Sequence, residues 1–351
     1  GTANFTISGC TITNLYGGNG VWKTQCNLTM IDCTISDVFT LNYNGAGIRS
    51  EDGDLTLINC SISNNTSLGA GGGVYCNHGS HTISNCTFSD NTSWNNMAPF
   101  IGGGGICFDD ANGSLSYCAL FDNFSNQGGG GITINGTGSL TIEHCTINGN
   151  DTGNGVGSGI WLRMTPTANV SNSIIANNND GYAILNNSGA LTVEYSDFYG
   201  NSSGDIWGNV PTGFGVLDRV NYNGDSCDCY YDIFMDPMFV DTLNRDFHLT
   251  VGSPCIDAGD PAFTYDPDGT ITDIGAYWFN QTGVAERPIV KSLEHFVPGA
   301  TVFAGSLILP QGKSCKVFDI TGRVVMPDKI KPGIYFIEVD GRITQKVVKV
   351  R

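Results

Sequence analysis

Four groups of side chains in this sequence have the types and spacing to do chemistry. In the string DPDGTITD, Asp266, Asp268 and Asp273 place three hard oxygen donors in one glycine-containing loop, a set suited to Ca²⁺. The string completes no EF-hand pattern, so the competing reading is an acidic turn whose carboxylates cap backbone amides. A structural calcium is the one cofactor suggested, and none is required. Cys227, Cys229 and Cys255 stand outside any repeat, and export would permit one disulfide from Cys255 to Cys227 or Cys229. Zinc is disfavoured because the five histidines, at 78, 81, 144, 248 and 295, are scattered. Trp22, Arg49 and Tyr75 each follow an apolar residue (Val21, Ile48, Val74) and, stacked, would form an exposed cation–π face for a glycan. Trp94, Met97, Phe100 and Ile101 crowd apolar surface into the loop TSWNNMAPFIGGGG at 92–105, which must fold onto the protein body or meet a partner.

Catalysis finds less material. A polysaccharide lyase needs a Lys or Arg base beside a cation, and basic residues to hold an acidic chain. Residues 1–280 contain only Lys23, Arg49, Arg163, Arg219 and Arg245 against 27 acids. Glycoside hydrolysis needs two carboxylates facing a cleft, whereas Asp109 and Asp110 are adjacent and, on a strand, point to opposite sides. A non-catalytic protein is expected, with a polysaccharide lyase or glycan-binding module as the alternative.

These side chains are positioned by a repeat. One pattern recurs eight times: FTISGCTITN, LTMIDCTISD, LTLINCSISN, HTISNCTFSD, GSLSYCALFD, LTIEHCTING, ANVSNSIIAN and LTVEYSDFYG. Its sixth position is Cys10, Cys33, Cys60, Cys86, Cys118, Cys145, Ser173 and Ser196, spaced 23 to 32 residues apart. Three before that slot and two after it every residue is apolar, from Ile7 and Ile12 to Val193 and Phe198. Alternation of this kind specifies strands with one buried face. Five after the slot stand Asn65, Asn91, Asn123, Asn150, Asn178 and Asn201, read as an internal asparagine ladder. A glycine-rich stretch and another apolar column follow, from Val21 and Ile48 to Ile206. Short strands and fixed turns at such a period predict an all-β chain. Residues 1–206 are expected as a right-handed parallel β-helix, 207–280 as an irregular closing segment and 281–351 as a small C-terminal β-sandwich. Slot cysteines would stack as thiols, packing as small hydrophobes.

The charge follows this division. The whole chain carries −17, but residues 1–280 carry −22 and 281–351 carry +5. Such a surface disfavours nucleic acid, and no apolar run is long enough to cross a membrane as a helix. With Phe5, Ile7, Cys10 and Ile12 already in the columns, no cap precedes the first coil, which predicts head-to-tail association of copies into a filament, oriented by the opposite charges.

Three resemblances add to this reading. GGGV at 71–74 and GGGI at 103–106 and 129–132, paired with FSDN, LFDN and FYGN, resemble the motifs of chlamydial-type polymorphic outer-membrane adhesins. The run from DPMFVD at 236–241 to Tyr277 resembles the closing segment of bacterial choice-of-anchor β-helix surface proteins. KVFDITGRVVMPDKIKPGIYFIEVDGRITQKVVKVR, with Asp319, Gly322, Arg323, Gly333 and Tyr335, is similar to the C-terminal sorting domain of the type IX secretion system. Together they imply a secreted or surface-displayed structural or adhesive protein of a Bacteroidetes-like bacterium, located outside the cell or on its outer surface, with surface glycans or other cells as partners.

Overall fold

Alternating apolar and polar residues build three long parallel sheets. The computed structural model describes residues 2–41, 44–95, 101–153 and 157–281, and beyond these 301–303, 307, 309, 314–319, 323–339 and 342–349. The chain divides into two units, Gly1–Gly283 and Val284–Arg351. In the first unit, one sheet stacks eight strands in sequence order, from Ala3–Ser8 and Cys26–Ile31 to Thr167–Ser171 and Ala190–Glu194. A second stacks eight more, from Val21–Thr24 and Ile48–Glu51 to Tyr182–Asn186 and Ile206–Gly208. A third carries the strands between them, such as Thr34–Thr40 and Ser61–Ser63. The register pairs Met30 with Leu57, Leu57 with Ile83, Ile83 with Leu115 and Leu115 with Ile142, so the columns of the sequence are columns of the core. The expected parallel β-helix is present.

The ten-residue motif is two strands rather than one. The residue before the slot is left-handed in every coil: Gly9, Asp32, Asn59, Asn85, Tyr117, His144, Asn172 and Tyr195 have φ between 48° and 61°. This corner swings the chain from the first sheet into the third. A second left-handed corner lies four after the slot, from Asn14 and Asp37 to Asn177 and Gly200. Asn, Asp and Gly tolerate that conformation; Tyr117, His144 and Tyr195 are held in it by the stack.

Each slot side chain secures its corner. The thiols of Cys33, Cys60, Cys86, Cys118 and Cys145 donate to the carbonyl two residues back at 3.1–3.3 Å. Ser173 and Ser196 make the same bond at 2.7 and 3.0 Å. The slot therefore asks for a small side chain with a donor, which corrects its reading as hydrophobic packing alone. Five residues on, the asparagine ladder runs unbroken from Asn65 to Asn201, each amide donating to the next carbonyl oxygen at 2.9–3.1 Å. Each amide also donates to a main-chain carbonyl, as Asn123 does to Phe88, so these buried groups are satisfied inside the core. The glycine run crosses the ladder closely: a Cβ on Gly105 would sit 2.7 Å from the Gly131 carbonyl oxygen.

Residues beyond Gly208 extend the helix and lie along its third sheet. Ile233 pairs in parallel with Asp197, and its amide donates to the Ser196 carbonyl at 2.9 Å. Asp232 accepts from the Ser196 amide at 2.9 Å, the bond a ninth slot residue would make. The segment then covers the outward positions of the later coils, where Ile174 and Ala176 cluster with Cys227, Ile233, Leu249, Cys255, Ala258 and Ile274. Phe121 meets Phe247 at 5.0 Å. Arg245 forks onto Asp90 through two 2.6 Å bonds and reaches Asp122 at 3.1 Å.

In the second unit, the described strands Thr301–Phe303, Cys315–Asp319, Val324–Val325, Gly333–Val339 and Arg342–Lys349 form one mixed five-stranded sheet. Val317, Ile330, Tyr335 and Ile337 are its core. Asp319 and Arg323 exchange main-chain and side-chain bonds at 3.0 Å.

Candidate functional site

Trp22, Arg49 and Tyr75, expected to form an exposed stack, lie on the outward side of the second sheet. Because strands pair in register, the residue after each inward Val or Ile forms a column, so Trp22, Arg49, Tyr75, Cys107, Thr133 and Trp161 follow one another rung by rung. Trp22 is 61% exposed, and the Arg49 guanidinium lies over its ring at 5.2 Å. Arg49 is held by Glu51 at 2.6 Å, and Glu51 also accepts from the indole nitrogen of Trp22 at 3.3 Å. This part of the expected stack forms.

Tyr75 does not join it as an exposed ring. It is 5% exposed, packed with Ala70, Ile101 and Cys107, and its hydroxyl donates to Asp109 Oδ2 at 2.8 Å. Burial, together with the Cys107 and Asp109 side chains, raises its pKa. The covering residue, Ile101, belongs to the apolar loop, whose end thus folds onto the helix rather than standing free for a partner. Asn95 fixes that fold by donating to the Ile101 carbonyl at 2.7 Å. Trp94 stays 43% exposed with its ring 5.0 Å from that of Phe124, while Met97 and Phe100 lie outside the described residues.

Beside the ring column runs a polar one two residues on: Glu51, Asn77, Asp109, Asn135 and Arg163. Asn135 donates to Asp109 at 2.7 Å, and Arg163 donates to Asn135 at 3.1 Å. Arg163 also lies over Trp161 at 5.7 Å, repeating the Arg49 and Trp22 arrangement. Five rungs of ~4.8 Å separate the two tryptophans, so two aromatic platforms face outward ~24 Å apart with hydrogen-bonding groups between them. Asp110 turns away from Asp109 at a left-handed corner and caps the Thr137 amide at 3.3 Å, so the pair makes no joint site. Lys23 is buried, donating to the carbonyls of Cys26 and Gly53 at 3.0 and 2.5 Å, and burial lowers its pKa.

The calcium expectation is corrected by the directions of its carboxylates. Asp266 accepts from the Asp273 amide at 2.9 Å, Asp268 from Thr270 at 2.8 Å and the Gln281 amide at 2.8 Å, and Asp273 from the amides of Asp257 and Phe279 at 2.8 and 2.6 Å. They brace backbone, and among the described residues no group of three His, Cys, Asp or Glu is arranged to hold a metal ion. Burial pushes Asp266 up to about 6 and Asp273 up to about 7, whereas Asp268, despite burial, is lowered by the amides it caps.

The disulfide is likewise replaced by other contacts. Cys227, Cys229 and Cys255 are thiols. Cys255 is fully buried and its Sγ faces Asp197 Oδ2 at 3.5 Å, Cys229 faces the Thr212 carbonyl at 4.0 Å, and Cys227 sits within the apolar cluster under the closing segment. Burial raises the Cys255 and Cys227 thiols.

Residues 1–93 and 72–217 match the family described as right handed beta helix region. The chain belongs to that family. No curated protein and no solved structure matches it. β-Helix proteins include enzymes and non-enzymes, so membership leaves the functional choice to the face itself.

In this β-helix the sequence reading missed the polar column. Its signal was available: Glu51, Asn77, Asp109, Asn135 and Arg163 all stand three after the apolar residue of the second sheet. The reading also missed that Thr34, Ser36, Ser61 and Ser63 in early coils become Ala119, Phe121, Ile174 and Ala176 in later ones, which marks where the closing segment lies.

Proposed function

We propose that this chain is a structural, adhesive β-helix displayed outside the cell, whose second-sheet face holds a glycan strand lengthwise. The supporting observation is the exposed Trp22 and Arg49 platform, aligned through a polar column with Trp161 and Arg163. Aromatic faces stack on the apolar faces of sugar rings, while Asn and Asp side chains exchange hydrogen bonds with hydroxyls. Tyr75, Cys107 and Thr133 are buried between the two platforms, so a chain of sugars would meet those platforms rather than the intervening rungs of the ring column. Display outside the cell draws on the similarity of residues 316–351 to secretion sorting domains.

The lyase reading is weaker because both arginines on this face are engaged, Arg49 by Glu51 and Arg163 by Asn135, which leaves them poorly placed as bases. Affinity electrophoresis against neutral and uronic-acid polymers tests the proposal. Retardation that weakens at least tenfold in Trp22→Ala and in Trp161→Ala supports it. Unchanged retardation in both variants, or unsaturated products released from uronic-acid polymers and lost in Arg49→Ala, overturns it.

A further inference from the structure

A second site lies where the closing segment crosses the corners of the fourth and fifth coils. The crossing leaves a cleft of about 360 Å³ lined by Asn85, Thr87, Tyr117, His248, Tyr277 and Trp278, among others. We propose that this cleft binds a short neutral saccharide, one or two rings long, independently of the second-sheet face.

Its volume falls at the lower end of small-molecule pockets, roughly 300–1,000 Å³, which fits one or two sugar rings. The rings that line it are fixed from behind. Tyr117, left-handed at its corner, stacks on His144 with centroids 4.9 Å apart and planes within 6°, and His144 rests against Phe263 at 4.7 Å. His248 stacks on Tyr277 at 4.5 Å. Tyr117 and Trp278 are 41% and 38% exposed, so each keeps a ring surface open to a ligand. Rigid aromatic surfaces with amide, hydroxyl and imidazole groups between them suit a pyranose, which has an apolar face and a polar rim.

Charge selects the neutral class. Among the described residues no carboxylate, lysine or arginine lines the cleft. Asp246, beside the cleft, accepts from the His248 amide at 3.1 Å and pairs with its Nδ1 at 2.7 Å, so it is turned to the histidine. An anionic sugar would enter a region where 27 acids face five bases in residues 1–280, and would be repelled.

Titration calorimetry of the full chain tests this with methyl glycosides of neutral hexoses, the matching disaccharides and galacturonic acid as probes. The expected result is binding of at least one neutral probe, tighter than galacturonic acid. Trp278→Ala and Tyr117→Ala should weaken it at least tenfold, Trp278→Phe should retain most of it, and Trp22→Ala should leave it unchanged. Circular dichroism confirms that each variant folds, and either alanine variant serves where the other does not. Absence of binding by every neutral probe at millimolar concentration, undiminished binding in a folded alanine variant of the cleft, or preference for galacturonic acid overturns the proposal. Loss of binding in Trp22→Ala with retention in Trp278→Ala also overturns it, by assigning the probes to the second-sheet face.

Discussion

The eight coils and the closing segment bury their polar groups in opposite ways. In the coils, each buried amide meets an identical amide one rung away, so Asn91 solves the problem of Asn65 and passes it to Asn123. Where the closing segment meets the last coil the buried groups include carboxylates with individual partners: Asp197 of the eighth coil with Met235 and Cys255, Asp228 with Gly215 and Tyr230, and Asp232 with Ser196. A repeated solution uses neutral groups and propagates; a single-use solution accepts charge and its desolvation cost. The two regions should therefore respond differently to side-chain deletion, to pH and to salt.

The largest effect belongs to the ladder. Asn123→Ala removes the oxygen that accepts both from the Asn91 amide nitrogen at 3.1 Å and from its side chain at 3.0 Å. Two buried donors are orphaned at about 1–3 kcal/mol each, so a loss of about 2–6 kcal/mol is expected. Urea unfolding reads this as a lower midpoint at unchanged m-value. A loss confined to a few tenths would show that the ladder is decorative and would erase the contrast.

Acidity separates the regions next. Burial raises Asp197 from 3.8 to about 8, and Asp273 is raised in the same direction to about 7. A raised carboxyl binds its proton in the folded state where the unfolded chain has already lost it, so stability falls as pH climbs between these values. The contribution is full below the unfolded pKa and declines up to the folded one. The urea midpoint of the closing segment should thus be higher at pH 5 than at pH 8, opposite in sign to ordinary acid denaturation. Asp197→Asn should raise the pH 8 midpoint and shallow the slope, while in the other coils burial lowers His81 and His144 from 6.5 to about 4, so their contribution should rise with pH up to about 6.5, the opposite sign. Hydrogen exchange of main-chain amides reads the two regions separately; a midpoint rising with pH, or the same slope in the variant, contradicts the assignment.

What could be read from the sequence follows the same division. A column is visible because eight coils repeat it, which is why Ile7 through Val193 and Asn65 through Asn201 were found from spacing alone. The left-handed corner was half visible: Asp32, Asn59, Asn85 and Asn172 are types that favour it, but Tyr117, His144 and Tyr195 adopt it under the pull of their neighbours. Tyr75 was placed outward correctly and exposed wrongly, since the residue that buries it, Ile101, is 26 positions away in a loop of variable length. Asp266, Asp268 and Asp273 showed that oxygens were present, not that amides already occupied them. Orientation in a segment used once leaves no periodic trace.

A smaller effect tests how the two regions are joined. Arg245 ties the closing segment to the corner residues Asp90 and Asp122, but its side chain is 43% exposed and theirs are 35% and 42%. Exposed pairs typically contribute about 0.2–1 kcal/mol and are screened by salt. Arg245→Ala should lower the closing segment's stability by about that much at low salt and by less in molar salt, with the ladder unaffected. An equal loss at both salt concentrations would mean that packing over Phe121, 5.5 Å away, carries the contact instead.

The smallest change should come from exchanging the slot residue for its own natural substitute. Cys118 donates to the Ser116 carbonyl at 3.2 Å, and Ser173 and Ser196 do the same from equivalent corners at 2.7 and 3.0 Å. Serine keeps the donor and the small volume while giving up the more apolar sulfur. Cys118→Ser should therefore cost within about 1 kcal/mol, the scale of one net hydrogen bond or less. Cys118→Val keeps an apolar side chain but removes the donor and adds a branch in a packed core, where overpacking alone costs about 1–3 kcal/mol. Valine should be the worse replacement. If the slot were simply a small hydrophobic position the order would reverse, because valine is the more apolar of the two. Parallel urea titrations of the two variants decide it, and serine falling below valine would return the slot to ordinary core packing.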